Sequence, residues 1–366
     1  MSISFPHVGT FTYVMESICY EMGRKDVVVP NKPSYKTKQL GSRHSPEWMC
    51  TPFKMLLGSF IEVVERGAFE LVGTLFIDYC RLGYYVPLYE LILEDLGYDF
   101  EFLYLNFNQP LGFIKEMKRR TTGLTYWKTF RAFQIGWIKN RFIDLVDKYL
   151  YHYQAIEYNK GSAQAVADKA YRIIVETKGM SNIRKLRKLV TKMFEEVDID
   201  KKADPLKVAI VGELYAVVEP EINLDIMRLL NNLGVISYTP ITFCRWIDIG
   251  SRANPFVRPT FKTAIKKAKP YVGYRLGGKT QESLGYAIMF KEQGWDGVVH
   301  LYPFTCMPEI ITRSIIPQVS KEHDIPILSL VLDEHTGEAG LKTRLEAFID
   351  LLDRKKNDTM KIGNKI

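Results

Sequence analysis

No apolar run in this sequence approaches the ~20 residues that a membrane-crossing helix requires. The opening MSISFPHVGTFTYVMES has neither a basic start followed by an apolar core nor a small-residue cleavage site, so it does not read as a signal peptide, and the expected location is the cytoplasm. Cysteines number only five, an odd count in a chain without export signals, which argues against a disulfide framework. No C-x-x-C pair occurs, and structural zinc usually draws its ligands from such closely spaced pairs. No recognition motif for DNA or RNA is present, and the aromatics form no RNA-binding signature. Apolar and charged residues make up 46% and 25%, as in an ordinary globular protein, which excludes a disordered chain.

What is present is a chain of 366 residues, longer than one hydrophobic core comfortably serves, so two domains with an accessory segment are expected. The formal charge of +8 gathers in the middle, in KEMKRR (115–120) and IRKLRK (183–188). On helices such runs are usually solvated faces. A docking surface for an acidic partner is the next reading, and nucleic acid comes last.

Short apolar runs alternate with amphipathic stretches at both ends of the chain. In residues 1–109 the sequence predicts helices in VMESICYEMG, PFKMLLGSFIEVVERG and PLYELILEDLG, each closed by glycine, and strands in DVVVP (26–30), ELVGTLFID (70–78) and DFEFLYLNF (99–107). Residues 110–204 carry long helical periodicities and most of the surplus charge, and read as a helical connector. In residues 205–366 the alternation returns. Strands are expected in KVAIVGELY, VISYTPI, GVVHLYPF and IPILSLVLD, with helices in NLDIMRLLNNLG, IITRSIIPQVS and TRLEAFIDLLDRKK. Helices between short buried strands imply parallel sheets, so the expected fold class is α/β, with two doubly wound, Rossmann-like domains.

Three cysteines stand where such domains bind ligands. Cys80 and Cys306 each follow a predicted strand, and loops after strand C-termini line the binding crevice. Cys50-Thr51-Pro52 and Cys306-Met307-Pro308 both place proline at the start of a predicted helix. A thiol just ahead of a helix meets unpaired N–H groups and the positive dipole end, which favour the thiolate, the metal-binding form. Equivalent positions in two domains suggest a ligand held in the cleft between them. The competing reading is that all three are inert core thiols. Cys19 falls in the apolar stripe of its helix and reads as core; Cys244, in the loop-like ITFCRWID, approaches the site in one reading only.

The stretches SPEWMCTPFKMLLGSFIEVVERGA and DYCRLGYYVPLYELILEDLGYDFEF, with the C-terminal run from WDGVVHLYPFTCMPEII to LEAFIDLL, resemble the 2-hydroxyacyl-CoA dehydratase components and their relatives, which include the CoA protein activase-related proteins. The likeness runs from about residue 7 to 352 and is weakest through the helical connector. It implies a 4Fe–4S cluster on Cys50 (MCTPFK), Cys80 (DYCRLGYY) and Cys306 (PFTCMPE), with one iron left open to water or substrate. Double-cubane relatives use six cysteines, one more than this chain contains. The resemblance further implies an ATP-hydrolysing activator with its own cluster as electron donor, and a dimer with itself or a related subunit. The implied chemistry is lyase or reductase action on a CoA thioester or other small molecule under anaerobic conditions. In the dehydratases one injected electron makes a ketyl radical of the thioester, which then expels hydroxide from C2. A non-catalytic alternative is a cluster-bearing electron-transfer or maturation protein that docks on a larger complex, and a third is a cluster-free α/β binding protein.

Other polar residues are weaker candidates. Glu213, at the end of the first strand of the second domain, is the best placed acid–base group. Arg81, next to Cys80, either stabilises cluster charge or pairs with a carboxylate. Gly273 to Thr280 fits the P-loop pattern formally, but a basic helical stretch precedes it where a buried strand is required, so coincidence is the reading. Gly277, Gly278 and Lys279 keep a lesser role, contact with the phosphate of a CoA-like ligand. Tyr84 and Tyr85 read as packing residues, Glu309 as a routine helix-start carboxylate, His300 as a satisfied strand histidine and His335 as a loop residue.

Overall fold

The computed structural model describes residues 2–75, 80–106, 110–250 and 259–363. It is an α/β protein with two parallel sheets, as the alternation of apolar runs predicts. The chain divides into two compact units. One comprises Met1–Val146, Ala167–Met193 and Phe243–Pro255; the other comprises Asp147–Val166, Phe194–Thr242 and Phe256–Ile366. Of the helices of the basic middle, Pro110–Arg120 lies in the first unit, while Tyr126–Ile156, Ser162–Glu176 and Met180–Glu195 each cross the division.

In the first unit β1 (Ile3–Ser4), β2 (Glu70–Leu75) and β3 (Glu101–Asn106) pair in parallel, in that order. The expected strand at 26–30 is reduced to one parallel bridge, Val27 to Ile3, on the free side of β1. Pro30 lacks the N–H that would carry the pairing further. With that bridge counted, the lateral order along the chain is second, first, third, fourth. The helix Thr51–Glu65 packs on this sheet through Phe53, Leu57 and Phe60, which meet Leu71, Tyr89 and Phe102 in one apolar cluster. Glycine past the helix end, Gly67 with φ +89°, returns the chain to β2 as the helix-stop reading requires.

In the second unit β4 (Lys207–Gly212), β5 (Ile236–Tyr238), β6 (Gly297–Pro303) and β7 (Ile327–Leu332) are parallel in the order β5-β4-β6-β7. This again places second, first, third, fourth side by side. The central β6 is buried along its whole length, which is why GVVHLYP reads as a continuous rather than alternating run. Among the described residues no helix is long and apolar enough to cross a membrane.

Candidate functional site

In each sheet the chain reverses its lateral direction beside its first strand, and ligands of open α/β sheets bind outside the strand ends at such a point. In the first unit this point lies between β1 and β2, and the chain leaving β2 reaches Cys80. In the second it lies between β4 and β6, whose ends lead into Glu213 and Cys306. The two strand-following cysteines thus hold the same topological position in the two sheets.

All three candidate cysteines occupy the residue that opens a helical segment. Cys50 precedes the helix Thr51–Glu65, Cys80 the single 3-10 turn Arg81–Tyr84, and Cys306 the helix Met307–Glu322, each in extended backbone and none using its sulfur as a cap acceptor. Proline follows in the first turn after Cys50 and Cys306, as the shared Cys-x-Pro pattern indicates. Thr305, immediately before Cys306, has φ +68°, a conformation that costs a threonine about 1 kcal/mol and bends the chain out of β6 into the helix.

The first unit brings Cys50 and Cys80 into one neighbourhood. The Tyr85 hydroxyl is hydrogen-bonded to Cys50 Sγ in the core. Burial pushes the Tyr85 phenol well above its usual range; the sulfur of Cys50 adds to this, and Cys80 contributes a smaller part. Arg81 Nη1 donates to the carbonyl of Trp48 at 3.0 Å, tying the Cys80 turn to the approach to Cys50. Tyr84 is 78% exposed while its neighbour Tyr85 is 3% exposed, so the two tyrosines, alike in sequence, have opposite surroundings. The packing role expected of Tyr85 leaves out its bond to sulfur.

The second unit holds a buried polar network beside Cys306. Gly212 lets β4 run close against β6: its φ is +138°, and a Cβ there would lie 1.8 Å from the Leu301 carbonyl oxygen. The chain then delivers Glu213, whose N–H donates to Leu301 O at 3.0 Å. The Glu213 carboxylate caps the short helix Leu214–Val218, accepting from the N–H groups of Tyr215 at 3.1 Å and Ala216 at 2.8 Å. Burial pushes its pKa up to about 7; the nearby Glu309 carboxylate adds to the rise, while the two N–H donors and Lys279 oppose it. Although part of Glu213 reaches solvent, the protein packed around its carboxyl dominates.

Glu309 and His300 are both wholly buried, with His300 Nε2 2.8 Å from Glu309 Oε2 and Ser283 Oγ at 3.4 Å from the same oxygen. Glu309 Oε1 is buried with no hydrogen-bond partner among the described residues. The other ring nitrogen of His300 lies 3.3 Å from Ser329 Oγ. Glu309 is thus more than a helix-start carboxylate, since its side chain turns inward onto β6. The only sequence signal for this was its place three residues after Cys306.

The loop of Gly277, Gly278 and Lys279 packs on the same helix start. A Cβ at Gly278 would meet the Pro308 ring at 2.7 Å, and Thr280 Oγ1 donates to Pro308 O at 2.8 Å. Lys279 is buried, with Nζ 2.8 Å from Glu282 Oε1. The element before this loop is the helix Pro259–Ala268 and not a strand, the context in which the P-loop pattern is coincidental.

The remaining cysteines are core. Cys19 is buried, and that burial pushes its thiol up to about 12. Cys244 lies on the helix Phe243–Gly250, not in a loop, and is fully buried. Among the described residues no three His, Cys, Asp or Glu side chains are grouped to hold a metal ion. Cys50 and Cys80 belong to one unit and Cys306 to the other. The donor type is nevertheless that of an iron–sulfur site, with cysteine sulfurs at helix-opening positions and a phenol bonded to one of them. Set against protein-family models and against curated proteins, the chain matches none.

Proposed function

We propose that this chain is a 4Fe–4S protein of the 2-hydroxyacyl-CoA dehydratase type, with Cys50, Cys80 and Cys306 as its ligands. It accepts low-potential electrons from an ATP-hydrolysing activator for radical dehydration or reduction of an acyl-CoA or other small substrate. It works in the cytoplasm, paired with a copy of itself or with a related subunit. The observation that carries the reading is the common setting of the three sulfurs, each opening a helical segment, two of them at the same topological position of two alike sheets.

A cluster held by three thiolates supplies single-electron transfer and an iron able to polarise a carbonyl or hydroxyl oxygen. The chain's own residues do the rest. Tyr85 orients Cys50 through its hydroxyl, and Arg81 holds the Cys80 turn against the segment leading to Cys50. Glu213, with a pKa of about 7, holds a proton that it gives up near neutral pH, the property needed to protonate a departing hydroxide. The backbone of Gly277 and Gly278, just ahead of the helix Thr280–Glu292, offers N–H groups to a CoA phosphate.

Anaerobic purification followed by iron and sulfide assay tests the reading. Wild-type protein is expected to be brown with about four irons per chain. Cys50→Ala, Cys80→Ala and Cys306→Ala are each expected to lower iron sharply, and Cys19→Ala to leave it unchanged. Colourless, iron-free wild-type protein would overturn the proposal.

A further inference from the structure

The helix Tyr126–Ile156 turns its core face inward through Thr129, Ala132, Ile135, Lys139 and Ile143, all buried. Even Lys139 points inward, its Nζ donating to Ser17 Oγ at 2.8 Å and to the Val175 carbonyl at 2.9 Å. The opposite face is not polar, as an exposed face of a core-packed helix ordinarily is. It carries Trp127, Phe130 and Trp137, 70%, 57% and 36% exposed, at helical spacing. Trp127 and Phe130 stack on each other with centroids 5.9 Å apart, giving one flat apolar surface in solvent.

Cations flank these rings. Lys118 lies over Tyr126 with Nζ 4.3 Å from the ring centroid, and the Arg141 guanidinium lies 4.0 Å from that of Trp137. Lys115, Lys128 and Arg131 are exposed nearby in sequence. From residue 110 to 141 the chain carries eight Lys and Arg and one acid, Glu116. Of the cations in the KEMKRR run, Arg120 is the one that turns inward, to Glu70 at 3.3 Å and to Glu101 at 2.6 Å.

We infer that this face, centred on Trp127 and Phe130, docks an acidic amphipathic helix of a partner protein. The inference goes beyond the cluster reading and stands without it. Exposed Trp, Tyr and Arg side chains are the residue types that anchor protein interfaces, and the surrounding cations select a partner carrying carboxylates. The stripe from Trp127 to Arg141 covers about 21 Å of helix, the length of four turns on a partner. A second copy of this chain fits poorly, because it would set cation against cation. Single-stranded nucleic acid is bound on sheets or in grooves that follow the phosphates on both sides, which a convex helix face does not provide.

The probe is a fluorescently labelled helical peptide of about 20 residues, with Leu and Phe at i, i+3, i+4 and i+7 and Glu or Asp elsewhere, titrated with full-length protein. A Lys-for-Glu version of the peptide and a labelled oligouridine run alongside. Micromolar binding of the acidic peptide is expected, weakening as salt rises. Trp127→Ala with Phe130→Ala should weaken it by about tenfold or more while leaving the melting temperature unchanged. Lys128→Glu with Arg131→Glu should weaken the acidic peptide and strengthen the Lys version. Three results would overturn the inference: no binding of the acidic peptide, equal binding by the aromatic variant, or aromatic-dependent binding of the oligouridine in place of the peptide. Self-association that sedimentation shows to be abolished by the aromatic variant would do the same.

Discussion

The Tyr85 hydroxyl is hydrogen-bonded to Cys50 Sγ across 35 residues of chain, joining the helix that follows the Cys80 turn to the start of the one that Cys50 opens. Because burial holds the Tyr85 phenol protonated, the phenol is the donor whenever the sulfur is a thiolate. Tyr85→Phe keeps the ring packed on Phe53 and removes only this donor. Its expected stability cost is about 1 kcal/mol in urea unfolding. In iron-loaded protein the variant should retain its iron but show a more negative reduction potential, since hydrogen bonds to cluster sulfurs raise it. An unchanged potential would remove Tyr85 from the ligand environment.

Glu213 makes folding stability depend on pH in a defined direction. Its pKa rises from 4.5 in the unfolded chain to about 7 in the fold, so between those values the folded state binds the extra proton. Stability is therefore greatest below pH 4.5 as far as this group is concerned, falls as pH rises toward 7 and is level above it, by up to about 3 kcal/mol in all. Glu213→Gln should abolish this slope and unfold at higher temperature than wild type at pH 8. Parallel melting curves of the two proteins from pH 5 to 8 would contradict the assignment.

His300 Nε2 and Glu309 Oε2 are paired at 2.8 Å in a wholly buried site. Glu309→Ala leaves the imidazole without its partner and opens space beside it, at an expected cost of about 3 kcal/mol in chemical denaturation. Glu309→Gln keeps a polar side chain of the same size and should cost clearly less. Equal losses for the two substitutions would mean that the carboxylate itself, not side-chain volume, is what the site requires.

Gly212 is held by the closeness of β4 to β6. Gly212→Ala places a methyl group against the Leu301 carbonyl at a φ that L-residues rarely adopt, so destabilisation above about 3 kcal/mol or loss of soluble expression is expected. Gly337→Ala, where a Cβ would meet nothing within 4 Å, is the control and should change stability by less than about 0.5 kcal/mol. A mild Gly212→Ala phenotype would show that the two strands separate easily.

Much of the fold was legible before any coordinates. Runs such as KVAIVG and GVVHLYP announce strands of a parallel sheet, because both faces of such strands are buried and nearly every position is apolar. Val27 is the exception: its segment has the composition of a strand but pairs at one residue only, since pairing depends on the neighbour and β1 is two residues long. The helix-opening setting of Cys50 and Cys306 was also legible, from the proline that follows each one closely.

Local sequence thus determined much of which segments are helix and strand, and that Cys50 and Cys306 stand at helix starts, because those properties depend on neighbours a few residues away. It could not separate Tyr84 from Tyr85, pair His300 with Glu309, or show that Trp127 and Phe130 face outward. Only the tertiary structure decided these, because which side of a helix is buried, and which carboxylate loses its water, depends on segments packed against it from far along the chain.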